Sequence, residues 1–184
     1  MKVILLTFLL CGCSITIYYE NKSEHHFIET AKPLMGLHER QDRSTLQDFL
    51  GVDPVRVEWC AAFVNSVLVE LDMPGSGKFH RYPLLARSFL NWGMPISKED
   101  IEIGDIVVFS RGNTGWQGHV GFFYGSFIDN NGVEYWNILG GNQSNSISIA
   151  PYRADRSIGI RRWVEVENPQ PETYTVSSGR NHRF

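Results

Sequence analysis

The chain has 184 residues, 42% of them hydrophobic, which is enough for one folded domain with a substantial core. Its formal net charge of −3 excludes the strongly basic surface that nucleic-acid-binding proteins present, so we expect no nucleic-acid partner. Beyond the first residues, no apolar run approaches the roughly 20 residues that a membrane-spanning helix needs.

The first residues resemble an export signal that ends in a lipid-attachment site. Lys2 precedes an apolar run from Val3 to Leu10, which is too short to span a bilayer but typical of a secretory signal. The run meets Leu10-Cys11-Gly12-Cys13, which resembles a bacterial lipobox. The resemblance implies cleavage before Cys13, a lipid on Cys13 and a place in the bacterial cell envelope. Because Ser14 follows, it implies the outer membrane, with the protein facing the periplasm. An ordinary signal peptide and an uncleaved anchor are the alternatives.

These features divide the chain into four predicted segments. The apolar start and the polar end of the chain differ in composition from the single folded domain that we expect between them. We expect a lipoprotein signal peptide over 1–12, a tether over 13–26, the domain over 27–164 and a disordered tail over 165–184.

Helix signals dominate the first half of the domain. Ser23 is placed to cap a helix that runs to Gly36, and Ser44 to cap a short helix that ends at Gly51. Apolar residues recur at three- and four-residue steps over 57–71, which predicts a helix that begins near Cys60. The run 84–92 predicts a further helix, stopped by a glycine.

Strand signals dominate the second half. β-Branched and aromatic residues separated by turn-forming residues predict strands over 105–109, 119–124, 134–139, 146–149 and 158–164. Helices followed by strands predict an α+β fold with an antiparallel sheet.

The arrangement most informative about function is a lone thiol followed by a histidine and an asparagine. With Cys11 and Cys13 assigned to the signal, Cys60 has no disulfide partner. Cys60, His119 and Asn142 follow the order of a nucleophile, its base and the group that orients the base. Three amide side chains are candidates for the third role: Asn142, which we prefer, Asn137 and Gln143.

Two further expectations concern the surroundings of Cys60. Free backbone N–H groups at the start of a helix, together with the positive end of its dipole, favour a thiolate there and can stabilise an oxyanion. Trp59 either lines the cleft and binds substrate or fills the core.

Five ordered runs, WCAAFVN, ARSFLNWG, GDIVVF, GHVGFFYG and ILGGNQ, resemble the CHAP and NlpC-type cysteine peptidases. The resemblance implies a papain-like fold, with a cysteine-bearing helix on an antiparallel sheet that carries the histidine. It implies that Cys60 is the nucleophile, His119 the base and Asn142 the third residue. It also implies cleavage of amide bonds in the peptide stems or cross-links of peptidoglycan, by an endopeptidase or an amidase. We expect neither a metal nor a cofactor. A thiol acyltransferase and a non-catalytic wall-binding lipoprotein are the alternatives.

The lipid-attachment site generates a prediction. Cys13→Ser removes the thiol that the lipid would occupy, so we expect the variant to lose both membrane partitioning and uptake of labelled fatty acid. Label retained in Cys13→Ser would move the anchor elsewhere, with Cys11 as the first candidate.

Overall fold

The computed structural model describes residues 4–10, 13–19 and 23–164. The described residues divide into two compact units: 4–10 and 13–19 belong to the first, and 23–164 form the second. In the first, β1 (Ile4–Leu10) pairs antiparallel with β2 (Cys13–Tyr19). Cleavage and lipidation at Cys13 remain predictions, and the predicted tail over 165–184 lies outside the described residues.

Three α-helices open the second unit. They are α1 (Ser23–Ala31), α2 (Arg43–Leu50) and α3 (Cys60–Glu70). Short 3-10 segments cover Lys32–Leu34, Ser76–Lys78, Ala86–Asn91 and Ala154–Arg156. Within the part of the chain that the structure describes, no helix is long and apolar enough to cross a membrane.

Three helix predictions need correction. The helix expected to run to Gly36 ends at Ala31, where a 3-10 segment follows. Ser44 does not cap α2, because the helix begins one residue earlier and Asp42 occupies the N-cap; its carboxylate accepts from the His38 N–H (2.9 Å). The helix ends as predicted at Gly51, whose left-handed φ of 66° suits glycine. The helix predicted over 84–92 is a 3-10 segment, Ala86–Asn91.

The six strands of the second unit form one antiparallel sheet, so the α+β prediction is confirmed. The order is β3 (Met94–Pro95), β8 (Ser157–Arg162), β4 (Ile106–Ser110), β5 (Gly118–Ile128), β6 (Glu134–Gln143) and β7 (Ser146–Arg153). β5, β6 and β7 each run four residues further than the sequence predicted.

The sheet is apolar on both faces. On β4, Ile106 and Val108 pack into the cluster that includes the buried side of α3, whereas Val107 and Phe109 pack into a second cluster on the other face. This alternation follows from the two-residue period of a strand. Since Phe109 pairs with His119 across the sheet, the histidine lies on the second face.

Two irregularities of β6 shape the region around His119. Its paired register with β5 runs only as far as Phe122↔Leu139, so the two strands stop pairing at the residues that follow Leu139. Against β7, Gly140 faces Ser148 while Gln143 faces Ser146, which leaves one extra residue in β6, a β-bulge.

The start of α3 packs against β6 just beyond the last residue of β6 that pairs with β5. A Cβ atom on Gly141 would lie 2.6 Å from both Phe63 Cβ and Trp59 Cζ3, so only glycine allows this close approach. Both neighbours are fully buried and have no room to shift. The helix start and the strand are therefore held together by steric fit.

This contact generates a stability prediction. Gly141→Ala should lower the free energy of unfolding by about 1–3 kcal/mol, because the added methyl overpacks a closed core. Gly115→Ala is the matched control, since nothing lies within 4 Å of the added methyl. Urea unfolding of both variants checks this, and equal stability would contradict the proposed fit.

Candidate active site

Cys60 is the first residue of α3 and lies against β5. Trp59 occupies the N-cap without a side-chain capping bond, so the first N–H groups of the helix have no partner within the helix. The thiol is 4% exposed. The backbone N–H groups of Ala61 and Val120 both act on it, which places the sulfur beside the residue that follows His119.

The charge state of Cys60 differs from the sequence-based prediction. Burial raises the pKa of the thiol above its ordinary value, because an ion is poorly solvated in this environment. The Val120 and Ala61 N–H groups and the positive charge of Arg111 oppose that rise but do not cancel it. The helix start acts in the expected direction, yet burial dominates, and the resting group is a thiol.

His119 is held between an aromatic face and an amide. Its ring stacks on Tyr152 with 4.9 Å between centroids and 12° between planes, and Tyr152 stacks in turn on Phe109. His119 Nε2 lies 3.1 Å from Gln143 Oε1. Since the imidazole is only 1% exposed, these contacts fix its position.

The bonds of Gln143 determine which nitrogen of His119 carries the proton. Gln143 Nε2 donates to the carbonyl oxygens of Ile138 (3.2 Å), Gly140 (3.3 Å) and Ser148. Carbonyl oxygens only accept, so the amide nitrogen must face them and Oε1 must face the histidine. Gln143 Oε1 therefore accepts from His119 Nε2–H, and the neutral ring is left with its lone pair on Nδ1.

Nδ1 of His119 is available as a base. It is buried and makes no hydrogen bond within the described residues. Burial and the charge of Arg111 lower the pKa of His119 to about 4, against the opposing effect of Gln143. Near neutral pH the site thus pairs a neutral imidazole with a protonated thiol.

The structure corrects the assignment of Asn142. Its side chain does not reach His119; Asn142 Nδ2 donates to Glu58 Oε2 (2.8 Å) at the rim of the site. The bulge in β6 is the reason, because it places Gln143 on the face where regular alternation would place Asn142. Asn142 accommodates the bulge with a left-handed φ of 57°.

The structure also locates the two other candidate residues, Trp59 and Asn137. Trp59 is fully buried and its Nε1–H donates to Glu39 Oε2 (3.3 Å), so of the two expectations for this residue the structure shows it filling the core. Asn137 lies in the middle of β6 opposite Gly125 and Pro151, away from the histidine.

Sequence reasoning missed three residues around the thiol. Tyr152 stacks on the histidine, while Arg111 and Glu58 form a long ion pair (3.9 Å) at the exposed rim. Burial raises the pKa of Tyr152, and Arg111 opposes this while the charge of Cys60 adds to it. Tyr152 could have been found only with the full length of β7, which extends beyond the predicted strand.

Two other kinds of site can be compared with the thiol: a metal centre and a surface depression. The described part of the chain holds no group of three His, Cys, Asp or Glu side chains placed to bind a metal ion. A shallow apolar depression of about 450 Å³ is lined by residues 81–85 and includes neither Cys60 nor His119. The lining of the depression has no thiol and no histidine, whereas Cys60 contacts the residue that follows His119, so we place the candidate site at the thiol.

No protein-family model matches the chain, and no curated protein matches it. Roles for the side chains therefore follow from their geometry and electrostatics.

The low pKa of His119 predicts how stability depends on pH. Between pH 6.5 and about 4, His119 binds a proton in the unfolded chain but not in the folded protein. The contribution of His119 to the free energy of unfolding is therefore fully present above pH 6.5. It is lost as the pH drops to about 4, and the loss amounts to roughly 3 kcal/mol.

The prediction is checked by urea unfolding of the wild type and His119→Gln between pH 7 and pH 4. Groups other than His119 titrate in both proteins and cancel in the difference. The stability gap should shift by about 3 kcal/mol in disfavour of the wild type. Parallel curves would show that His119 has an ordinary pKa.

Proposed function

We propose that this protein hydrolyses an amide bond through a thioester on Cys60, with His119 as the base and Gln143 as its positioning residue. One observation carries the proposal: the buried thiol at the start of α3 contacts the backbone N–H of Val120, the residue next to His119, and the tautomer of that histidine leaves a lone pair on Nδ1. That combination supplies a nucleophile and a base, the minimum for thiol-dependent acyl transfer.

The steps follow from the protonation states. His119 Nδ1 takes the proton from Cys60 Sγ as the sulfur attacks the substrate carbonyl. Backbone N–H groups at the start of α3 are placed to stabilise the oxyanion of the tetrahedral intermediate. When the C–N bond breaks, Nδ1–H protonates the leaving amine and a thioester remains. Water, deprotonated by Nδ1, then releases the acid and restores the thiol.

Gln143 has a defined part in these steps. When His119 becomes an imidazolium, its Nε2–H still donates to Gln143 Oε1, so the same hydrogen bond serves both protonation states. The three backbone carbonyls that accept from Gln143 Nε2 keep the amide from turning over. The residue thus holds the ring in the reactive tautomer.

For the substrate, we propose amide bonds in the peptide part of peptidoglycan. Two features support this: a helix that begins with the cysteine packed on an antiparallel sheet that carries the histidine, as in a papain-like fold, and the sequence runs that resemble CHAP and NlpC-type peptidases. The export signal and lipid-attachment site predicted from the sequence suit a protein that meets the cell wall. Endopeptidase and amidase activity differ in the new termini that they create.

The direct test is digestion of purified sacculi. The wild type should release fragments whose new termini, read by mass spectrometry, identify the bond and show whether water or another acceptor takes the acyl group. Cys60→Ala should be inactive, because loss of a nucleophile costs several orders of magnitude in rate. Digestion by a Cys60→Ala protein that keeps its circular dichroism spectrum would overturn the mechanism.

The two neighbouring amides provide a paired test of the third residue. Gln143→Ala should lower kcat roughly 10- to 1,000-fold on one peptide substrate with little change in KM, because the ring can still sample the reactive tautomer. Asn142→Ala removes only a bond at the exposed rim and should stay close to wild type. A crippled Asn142→Ala beside a normal Gln143→Ala would reverse the assignment.

A further inference from the structure

Arg111 connects the strand of the base to the helix of the nucleophile. It follows β4 directly, and its neighbour Ser110 pairs with Gly118, the residue before His119. Its Nη1 lies 3.9 Å from Glu58 Oε2, and Glu58 precedes Cys60 by two positions. The guanidinium is therefore at the rim of the site, between the elements that hold the reacting groups.

Arg111 forms a hydrogen bond with the Tyr152 side chain, and its second contact, with Glu58, is weak. The distance is at the limit of an ion pair, and the side chains are 48% and 81% exposed, so solvent screens the attraction. Glu58 makes its close hydrogen bond with Asn142 instead (2.8 Å). Because a guanidinium has five N–H donors in a fixed fork, the Tyr152 and Glu58 contacts together leave donors for a substrate anion.

The charge of Arg111 also reaches the reacting groups. Burial dominates the pKa values of Cys60, His119 and Tyr152, and the positive charge of Arg111 lowers all three. A substrate group bound to Arg111 would consequently lie close to the bond that Cys60 attacks.

We propose that Arg111 is a specificity-determining residue that binds a free carboxylate of the substrate next to the scissile amide. This inference rests on the proposed function and narrows its substrates to acidic peptides. A guanidinium and a carboxylate form two parallel, charge-assisted hydrogen bonds, which fix orientation as well as position. Glu58, being largely exposed, is free to swing aside when the substrate carboxylate takes its place.

Peptide substrates test the inference by a change of one group. Each carboxylate of a synthetic stem peptide is replaced in turn by a carboxamide, and kcat/KM is measured. For one position the wild type should prefer the acid by about 10- to 100-fold, the value of a charge-assisted hydrogen bond pair. Arg111→Gln should abolish that preference and Arg111→Lys should retain part of it.

Arg153→Gln is the matched control. Arg153 has the same side-chain exposure, 48%, and pairs with Asp155 rather than with a residue of the site. The variant should keep the wild-type preference for the acid. Equal cleavage of acid and amide peptides by the wild type would overturn the inference, and so would an Arg111→Gln defect that lowers kcat equally on both. Either result would leave the hydrolase proposal in place.

A second measurement is independent of hydrolysis. Cys60 is alkylated with iodoacetate, which carries a carboxylate, or with neutral iodoacetamide, and modification is read on the Cys60 peptide by mass spectrometry. The iodoacetate-to-iodoacetamide rate ratio should fall on the order of 10-fold in Arg111→Gln but not in Arg153→Gln. An unchanged ratio would overturn the role of Arg111. If no peptide is cleaved, the hydrolase proposal fails, while this ratio still decides whether Arg111 binds carboxylates.

Discussion

The site depends on the fit of the α3 start against a glycine strand. Gly140 and Gly141 follow the last residue of β6 that pairs with β5, and Trp59 and Phe63 occupy the space that a side chain at Gly141 would fill. A Cβ atom on Gly140 would lie 3.3 Å from His119 Nε2, so the same glycine pair admits the helix on one side and the imidazole on the other. The pair therefore brings the start of α3 and the imidazole of His119 against the same short stretch of β6.

Within that frame, a single amide sets the proton chemistry. The Gln143 side-chain nitrogen donates to backbone carbonyls and its oxygen accepts from His119, so the neutral imidazole has one permitted tautomer. The surroundings are nearly dry, and burial keeps both the thiol and the imidazole uncharged. The resting site therefore differs from a preformed thiolate–imidazolium pair, and in the mechanism that we propose the two charges arise together when a substrate is attacked. A protonated thiol is also a poor target for oxidants, since the thiolate is the reactive form.

The sequence revealed the chemistry of this site more reliably than its geometry. Cys60 at a helix start and His119 in a strand could be predicted, because helix periodicity and strand composition are local signals. The exchange of Asn142 for Gln143 could not, since one bulged residue in β6 reverses which side chain faces the histidine. Trp59 illustrates the same limit: its place in the core depends on packing against a distant glycine. The pKa of Cys60 depends on burial, a property of the assembled fold, and so the thiolate expected from the helix start alone is absent.

The central claim is that neutral His119, protonated on Nε2, offers Nδ1 to the Cys60 thiol. Nitrogen-15 NMR of the histidine-labelled protein near pH 7 tests it most directly, with the His119 signals assigned by their loss in His119→Gln. The account predicts a proton on Nε2 and an unprotonated Nδ1. An imidazolium protonated on both nitrogens, or a neutral ring protonated on Nδ1, would contradict it.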